Sequence, residues 1–228
     1  MSLSIKEKLR FLDRAAADTK VTIPDRPAPV SVSQLLPDCR IIENEFGRCV
    51  LREKKFPLSF QHGKTRLREF MDLPAKFFAF IGNNSSFGEL DKKGLLFLDT
   101  ETTGLAGGTG TLIFLIGLGY FEDENFCVKQ FLLLDPSDEK AFLFEIEKCL
   151  AAKSCFVTFN GKSYDIPLLK SRFILNKIHS PTEQYSHIDL LHHCRRLWKK
   201  TAVSCSLSNI EGQVLGFQRQ QDIPGSQI

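Results

Sequence analysis

The sequence lacks several features that would define a class of protein at once. No apolar run approaches the length of a membrane-spanning helix. The first residues, Met1 to Asp18, mix charges throughout and lack the apolar stretch of a signal peptide. We therefore expect a cytoplasmic protein with no membrane partner.

Paired cysteines and a strong net charge are also missing. The seven cysteines form no C-x-x-C pair, and their odd number disfavours both a zinc knuckle and a disulfide framework. A formal net charge of +3, from 30 Lys and Arg against 27 Asp and Glu, is too small to indicate a polyanionic partner by itself. The local placement of charged residues must decide which partner the chain binds.

The glycine-rich stretch 104–111 lacks the ending of a nucleotide-binding loop. A P-loop finishes in Gly-Lys-Ser or Gly-Lys-Thr and opens a helix, whereas this stretch leads into a predicted strand. A turn is therefore the favoured interpretation. Glycine would still let a nucleic-acid backbone approach closely, because it has no side chain to obstruct it.

The 228 residues, 43% of them hydrophobic, are enough to bury a substantial core, and their pattern divides the chain into three parts. Residues 1–38 predict a short helix and a proline-rich extended linker, since proline removes a backbone donor and restricts its predecessor. Residues 39–90 predict an accessory segment with a hairpin and an interrupted helix. Residues 91–228 predict the main domain.

The main domain has the pattern of an α/β fold. Leu95–Leu98 is a continuous apolar run, as expected of a central strand buried on both faces. Further strands are predicted over 111–121, 126–134, 155–159 and 186–188, and helices over 137–152, 164–175, 190–200 and 207–215. This order predicts a mixed sheet of about five strands flanked by helices.

The strongest chemical signal is a pair of acids at the end of the central strand. Asp99 and Glu101 are two residues apart, so an extended chain projects both carboxylates to the same side. Two like charges held together raise one pKa or require a cation to neutralise them. Mg²⁺ and Mn²⁺ favour such oxygen ligands. A D-x-E pair alone, however, is more often a solvated strand end.

A third acid changes that balance. Asp165 follows another predicted strand, at the end of the string Asn160–Asp165. In a mostly parallel sheet the ends of neighbouring strands converge, so Asp165 is predicted to approach Asp99 and Glu101. Three carboxylates would then face one cleft and form a candidate metal site.

Two strings resemble the motifs of DEDD-type 3′-5′ exonucleases and proofreading domains. Phe97–Leu105 resembles their first motif, and Asn160–Asp165 resembles the second, N-x-x-x-[YF]-D. The sequence is most similar to the YprB-type ribonuclease-H-like family, which also carries phrases like Gly108–Thr111, His187–His192 and Asp222–Gly225. The resemblance implies an α/β ribonuclease-H-like mixed sheet flanked by helices, with a small N-terminal accessory segment.

The resemblance also implies hydrolysis of phosphodiesters by two ions of Mg²⁺ or Mn²⁺, on single-stranded ends of DNA or RNA. Asp99 would bridge both ions, Glu101 would bind one and help to orient the water, and Asp165 would complete the other shell. The residues expected to contact nucleic acid are Thr102, Gly104, Asn160 and Tyr164. For the last two, capping and packing of the turn is an equal alternative.

The sequence departs from the family pattern near its C-terminal end. Relatives carry a fourth acid in a final motif such as H-N-x-x-D, and no such string follows Asp222. Asp189 lies in a segment that relatives carry in addition to that acid, so we retain it only as an auxiliary candidate. The chain is therefore expected to end before the last metal ligand and to be feebly active or inactive.

The densest basic cluster also contains an aromatic residue and comprises Arg195, Arg196, Trp198, Lys199 and Lys200. Cations beside an aromatic ring suit phosphate contacts and base stacking on a single strand. A solvated helix face with one buried tryptophan explains the same residues. The leading hypothesis is a metal-dependent nuclease, and the alternative is a nucleic-acid-binding or scaffolding protein that kept the fold and lost the chemistry.

Overall fold

The computed structural model describes residues 38–104, 110–179 and 185–219. These residues belong to one compact unit that begins at Asp38. The predicted N-terminal helix and proline-rich linker lie outside the described residues. None of the helices in the described part of the chain is both long and apolar enough to cross a bilayer.

A seven-stranded mixed sheet forms the centre of this unit. Its strands are β1 (Cys39–Asn44), β2 (Gly47–Pro57), β5 (Leu95–Thr102), β6 (Ile113–Glu122), β7 (Asn125–Leu132), β8 (Cys155–Thr158) and β9 (Ser186–Asp189), while β3 (Gln61–His62) and β4 (Thr65–Arg66) form a separate pair. The order is β1-β2-β7-β6-β5-β8-β9. The pairs β5–β8 and β8–β9 are parallel, and the other pairs are antiparallel.

Six α-helices are described around the sheet. They are α1 (Leu67–Asp72), α2 (Lys76–Gly82), α3 (Glu139–Leu150), α4 (Asp165–Leu175), α5 (Leu190–Trp198) and α6 (Leu207–Ile210), the last continuing as a π-helical turn over Glu211–Leu215. The prediction of a mixed α/β sheet flanked by helices is confirmed. The α3 helix is preceded by a 3₁₀ turn over Pro136–Asp138, which Asp135 caps because its carboxylate accepts a hydrogen bond from the Ser137 amide.

The sheet has seven strands rather than about five because the hairpin of the accessory segment joins it. Strand β2 pairs antiparallel with β7 from Val50↔Leu132 to Pro57↔Asn125. The sheet therefore continues across the division that the sequence suggested at residue 90. A hairpin is recognised from its own turn and alternation, but its pairing partner is a non-local choice that local patterns do not encode.

Strand β5 separates two apolar cores because successive side chains point to opposite faces. Leu96 and Leu98 contribute to the larger core, which includes residues of α3 and α4. Leu95 and Phe97 pack on the other face with Phe78 of α2. This alternation places Asp99 and Glu101, which continue the odd-numbered series, on the face covered by α2.

A buried ion pair joins α3 to α4. The Arg172 guanidinium donates two hydrogen bonds of 2.6 Å to the Glu139 carboxylate, and both residues are buried. The side-chain amide of Asn176 donates a third bond of 2.8 Å to the same carboxylate. The pair therefore fixes the helix whose first residue is Asp165 against its neighbour.

We predict that Glu139→Ala lowers the free energy of unfolding by about 3–5 kcal/mol, because it leaves the Arg172 charge buried without its main partner. Urea denaturation followed by circular dichroism measures the change. Arg68→Ala is the matched control, since it removes an exposed ion pair to Glu124 and should cost much less. Equal losses in the two variants would contradict the structural role assigned to the buried pair.

Candidate functional site

The candidate site lies at the C-terminal end of the central strand β5. Asp99, Thr100 and Glu101 are its last residues before a register shift between Glu101 and Thr102. A bulge of this kind bends the strand and ends regular pairing. The acidic pair therefore lies where the strand leaves the ladder.

Asp165 is brought to the same place by α4, of which it is the first residue. Its side chain is buried, and the Thr100 hydroxyl donates a hydrogen bond of 2.5 Å to its Oδ1 atom. Burial raises the pKa of the Asp165 carboxyl, while the Thr100 bond opposes that rise. The threonine between the two acids of β5 thus holds the third acid, a contact that the sequence analysis did not foresee.

Asp99 shows that the three acids affect one another. Its side chain keeps accessible surface. The protein atoms around its carboxyl nevertheless displace much of the water that would hydrate the charge. This partial burial is the largest cause that raises the pKa of Asp99 from 3.8 to about 6, and repulsion from Asp165 and Glu101 comes next. Arg219 partly offsets the repulsion. Carboxyl groups from two separated segments therefore lie within electrostatic reach of each other.

The fit of this cluster to a divalent cation can be judged from its donors and its geometry. The donors are carboxylate oxygens whose repulsion a hard cation would relieve. In the described ranges, however, no group of three or more His, Cys, Asp or Glu side chains is already arranged to hold a metal ion. One oxygen of Asp165 is instead bonded to Thr100. The cluster suits a cation by charge and chemistry, but it is not a preformed three-ligand site.

Asp189, the predicted auxiliary acid, has a different set of partners. Its Oδ1 accepts the backbone amides of Asn160, at 2.8 Å, and Leu191, at 3.0 Å, while Oδ2 accepts that of Lys162, at 3.1 Å. The residue is 6% exposed. Both carboxylate oxygens are therefore bonded to backbone, and the charge of Asp189 contributes to the raised pKa of Asp165.

Asn160 and Tyr164 border the acidic cluster in different ways. Asn160 has φ = 72°, a left-handed conformation that asparagine tolerates better than most residues, and it lines a cleft of about 650 Å³. Tyr164 is 59% exposed. Packing of the turn therefore does not account for the tyrosine ring, which remains available to a ligand.

Thr102 and Gly104 lie at the entrance to the glycine-rich loop. The Thr102 hydroxyl donates a hydrogen bond of 3.0 Å to the Gly104 carbonyl. Gly104 is exposed. Residues 105–109 of that loop lie outside the described residues, so the described contact of Thr102 is to the chain itself.

The two arginines predicted to bind nucleic acid do different things. Arg195 is exposed and lines the 650 Å³ cleft together with Asn160 and Lys199. Arg196 donates a bond of 2.8 Å to the Phe80 carbonyl and its guanidinium lies 5.0 Å from the centre of the Phe80 ring. Arg195 therefore faces the cleft, while Arg196 joins α5 to α2.

His187 and Thr158 support the loop after β8 and were not selected from the sequence. The His187 Nε2 atom lies 2.8 Å from the Thr158 hydroxyl, which also accepts the Gly161 amide at 3.2 Å. Burial and the nearby Lys162 charge lower the pKa of His187 to about 4, so the imidazole is neutral at pH 7. A histidine inside a strand carries no sequence signal that identifies this role.

Comparison with known proteins identifies the family. A model of the family described as the RNase_H superfamily matches residues 96–228. The chain belongs to the RNase_H superfamily. This membership confirms the resemblance drawn from the two motifs and supports a nuclease-type function in general terms.

Individual relatives are informative to different degrees. The chain is 37% identical over 191 residues to the uncharacterized protein YprB of Bacillus subtilis (strain 168), a match that covers 81% of this chain and 45% of that protein. It therefore spans less than half of that relative's length. The zinc-bound E. coli ExoI–ssDNA complex matches with a TM-score of 0.42 and 17% identity, over 54% of this chain and 35% of that one, a likeness too distant to carry an argument.

We predict that Asp99→Asn stabilises the metal-free protein at pH 7.5 and that the difference disappears near pH 4. The folded wild type holds a proton on Asp99 up to about pH 6, whereas the unfolded chain loses it near 3.8, so wild-type stability falls as pH rises through that window. After discounting for exposure, a gain of about 1 kcal/mol, or about 2–4 °C in Tm, is expected.

Thermal unfolding in EDTA across pH 4 to 8 measures this difference. Asp72→Asn, at an exposed acid that ends α1, is the control and should follow the wild type. Parallel wild-type and Asp99→Asn curves over the whole pH range would refute the raised pKa of Asp99.

Proposed function

We propose that this chain is a metal-dependent nuclease that hydrolyses nucleic-acid phosphodiesters in the manner of a 3′-5′ exonuclease. The observation that carries the proposal is the electrostatics of Asp99, whose pKa is raised to about 6 by burial and then by repulsion from Asp165 and Glu101, in a member of the RNase_H superfamily. Perturbed carboxyl groups of this kind concentrate at functional sites. Bound Mg²⁺ or Mn²⁺ would offset the repulsion.

The acids have distinct tasks in this proposal. Two divalent ions would supply an activated water and stabilise the leaving oxygen. Asp99 and Glu101 would hold them from β5, and Asp165 would hold them from α4. Thr100 orients the Asp165 carboxyl through its hydroxyl. Asp99 must be deprotonated to act as a ligand, so binding should weaken as pH falls below about 6.

The neighbouring cleft supports a single-stranded partner. Arg195 and Lys199 supply positive charge along it, and Asn160 joins it to the loop that leads to Asp165. Exposed Tyr164 offers a ring on which a base can stack. These groups suit a strand of DNA or RNA whose end reaches the acids.

A second candidate is a nucleic-acid-binding or scaffolding protein without hydrolytic activity. The observation that favours it is the hydrogen bond between Thr100 and Asp165, together with the lack of a preformed three-ligand metal cluster in the part of the chain that the structure describes. Such a protein would use the cleft and not the acids.

We predict that the protein shortens labelled single-stranded oligonucleotides from the 3′ end in Mn²⁺ at pH 7.5. Asp99→Ala should lower the initial rate at least about 100-fold, because it removes a carboxylate that both ions would share. Asp72→Ala is the matched control. Gel analysis of DNA and RNA substrates measures the products. Equal cleavage by wild type and Asp99→Ala would exclude the nuclease, and binding without cleavage would favour the scaffold.

We predict that Arg195→Ala weakens oligonucleotide binding while Arg196→Ala mainly lowers thermal stability. The first removes a cleft cation and should flatten the slope of log K against log salt by about 0.7 for one lost phosphate contact. The second removes the contact to Phe80. Fluorescence anisotropy between low and moderate salt measures the slope. Identical slopes for Arg195→Ala and wild type would rule out the cleft as the binding surface.

A further inference from the structure

The carboxylate of Asp189 contacts the backbone at the start of the loop that leads to the acidic cluster. Asp189 ends β9, which pairs in parallel with β8 so that Asp189 stands opposite Thr158. The loop that begins after Thr158 carries Asn160, Tyr164 and Asp165. Asp189 therefore lies on the strand next to β8, beside the start of the loop that leads to Asp165.

Three consecutive amides at the beginning of this loop are held by side chains. Asn160 and Lys162 donate to the two oxygens of Asp189, at 2.8 and 3.1 Å, and Gly161 donates to the Thr158 hydroxyl at 3.2 Å. The left-handed backbone of Asn160 needs such support, since an isolated residue pays for that conformation. The loop conformation is thus imposed from β8 and β9.

The same carboxylate also begins α5. Oδ1 of Asp189 accepts the Leu191 amide at 3.0 Å and caps the helix. Leu191 and Arg195 of this helix line the cleft, and Asn160 lines it from the loop. One buried side chain therefore holds the start of α5 and the loop that leads to the acids, and both of these segments contribute residues to the cleft.

We propose that Asp189 is a positioning residue, which keeps the Asn160–Asp165 loop and the start of α5 in one arrangement and so aligns the acidic cluster with the cleft. We assign it no ligand role, because its two oxygens already accept hydrogen bonds from three backbone amides. The expected effect of Asp189 on the binding of metal and of single-stranded nucleic acid rests on the proposed nuclease function. Its effect on the loop does not.

The test compares Asp189→Asn with Asp189→Ala. Asparagine keeps an Oδ1 acceptor for Asn160 and Leu191 but turns an amide group toward the Lys162 N–H, whereas alanine loses all three bonds. Asp91→Asn makes the same chemical change at an exposed cap, which accepts the Lys93 amide, and serves as the control. All measurements are made well below the Tm of each variant.

Three readouts are expected to change in the graded order wild type, Asn, Ala. Amide hydrogen exchange at Asn160 and Lys162, measured by NMR, should become faster. The affinity for Mn²⁺ and for a short single-stranded oligonucleotide should fall about 10–100-fold.

Unchanged exchange at Asn160 and Lys162 in Asp189→Ala would overturn the proposal, as would faster exchange with both affinities kept at wild-type values. A complete loss of one Mn²⁺ equivalent in both variants alike would make Asp189 a ligand instead. Failure of the wild type to bind Mn²⁺ or oligonucleotide would refute the proposed function, while the exchange measurements would still decide whether Asp189 holds the loop.

Discussion

The parallel pairing of β5 with β8 is the constraint on which the candidate site depends. The register Leu95↔Cys155 to Phe97↔Val157 aligns the two strands so that their carboxyl ends open at the same edge of the sheet. Asp99 and Glu101 continue from one strand, and the loop to Asp165 continues from the other. Because Leu95 and Cys155 are completely buried, a shift of this register would expose core residues and would separate the acids.

Repulsion between the carboxylates at this end of the sheet destabilises the folded protein when no cation is bound. Burial, followed by repulsion from Asp165 and Glu101, raises the pKa of Asp99, and burial also raises the pKa of Asp165. Two interactions hold Asp165 in place despite this repulsion. The Thr100 hydroxyl donates a hydrogen bond to its carboxylate, and the buried ion pair Glu139–Arg172 anchors α4. A cation that binds these carboxylates only in the folded protein would relieve their repulsion and stabilise the fold. The raised pKa of Asp99 is thereby linked to the proposed metal-dependent chemistry.

The accessory segment, residues 39–90, is part of this architecture. Strand β2 extends the sheet beyond β7, and Phe78 of α2 packs against the face on which Asp99 and Glu101 project. Arg196 joins α5 to the same helix through the Phe80 carbonyl. The accessory segment therefore supports the helix that forms one wall of the cleft, and one of the two predicted nucleic-acid-binding arginines serves this packing.

The sequence by itself predicted the main strands and helices of the α/β domain and the shared face of Asp99 and Glu101, because these follow from local periodicity and from the order of the elements. Tertiary structure alone decided that the hairpin pairs with β7, that Thr100 holds Asp165, that Asp189 holds backbone amides and that Arg195 and Arg196 face different surroundings. The physical reason is that hydrogen-bond partners between distant segments depend on register and burial. A residue's type states which bonds its side chain is able to form, and only the packed chain selects which of them it forms.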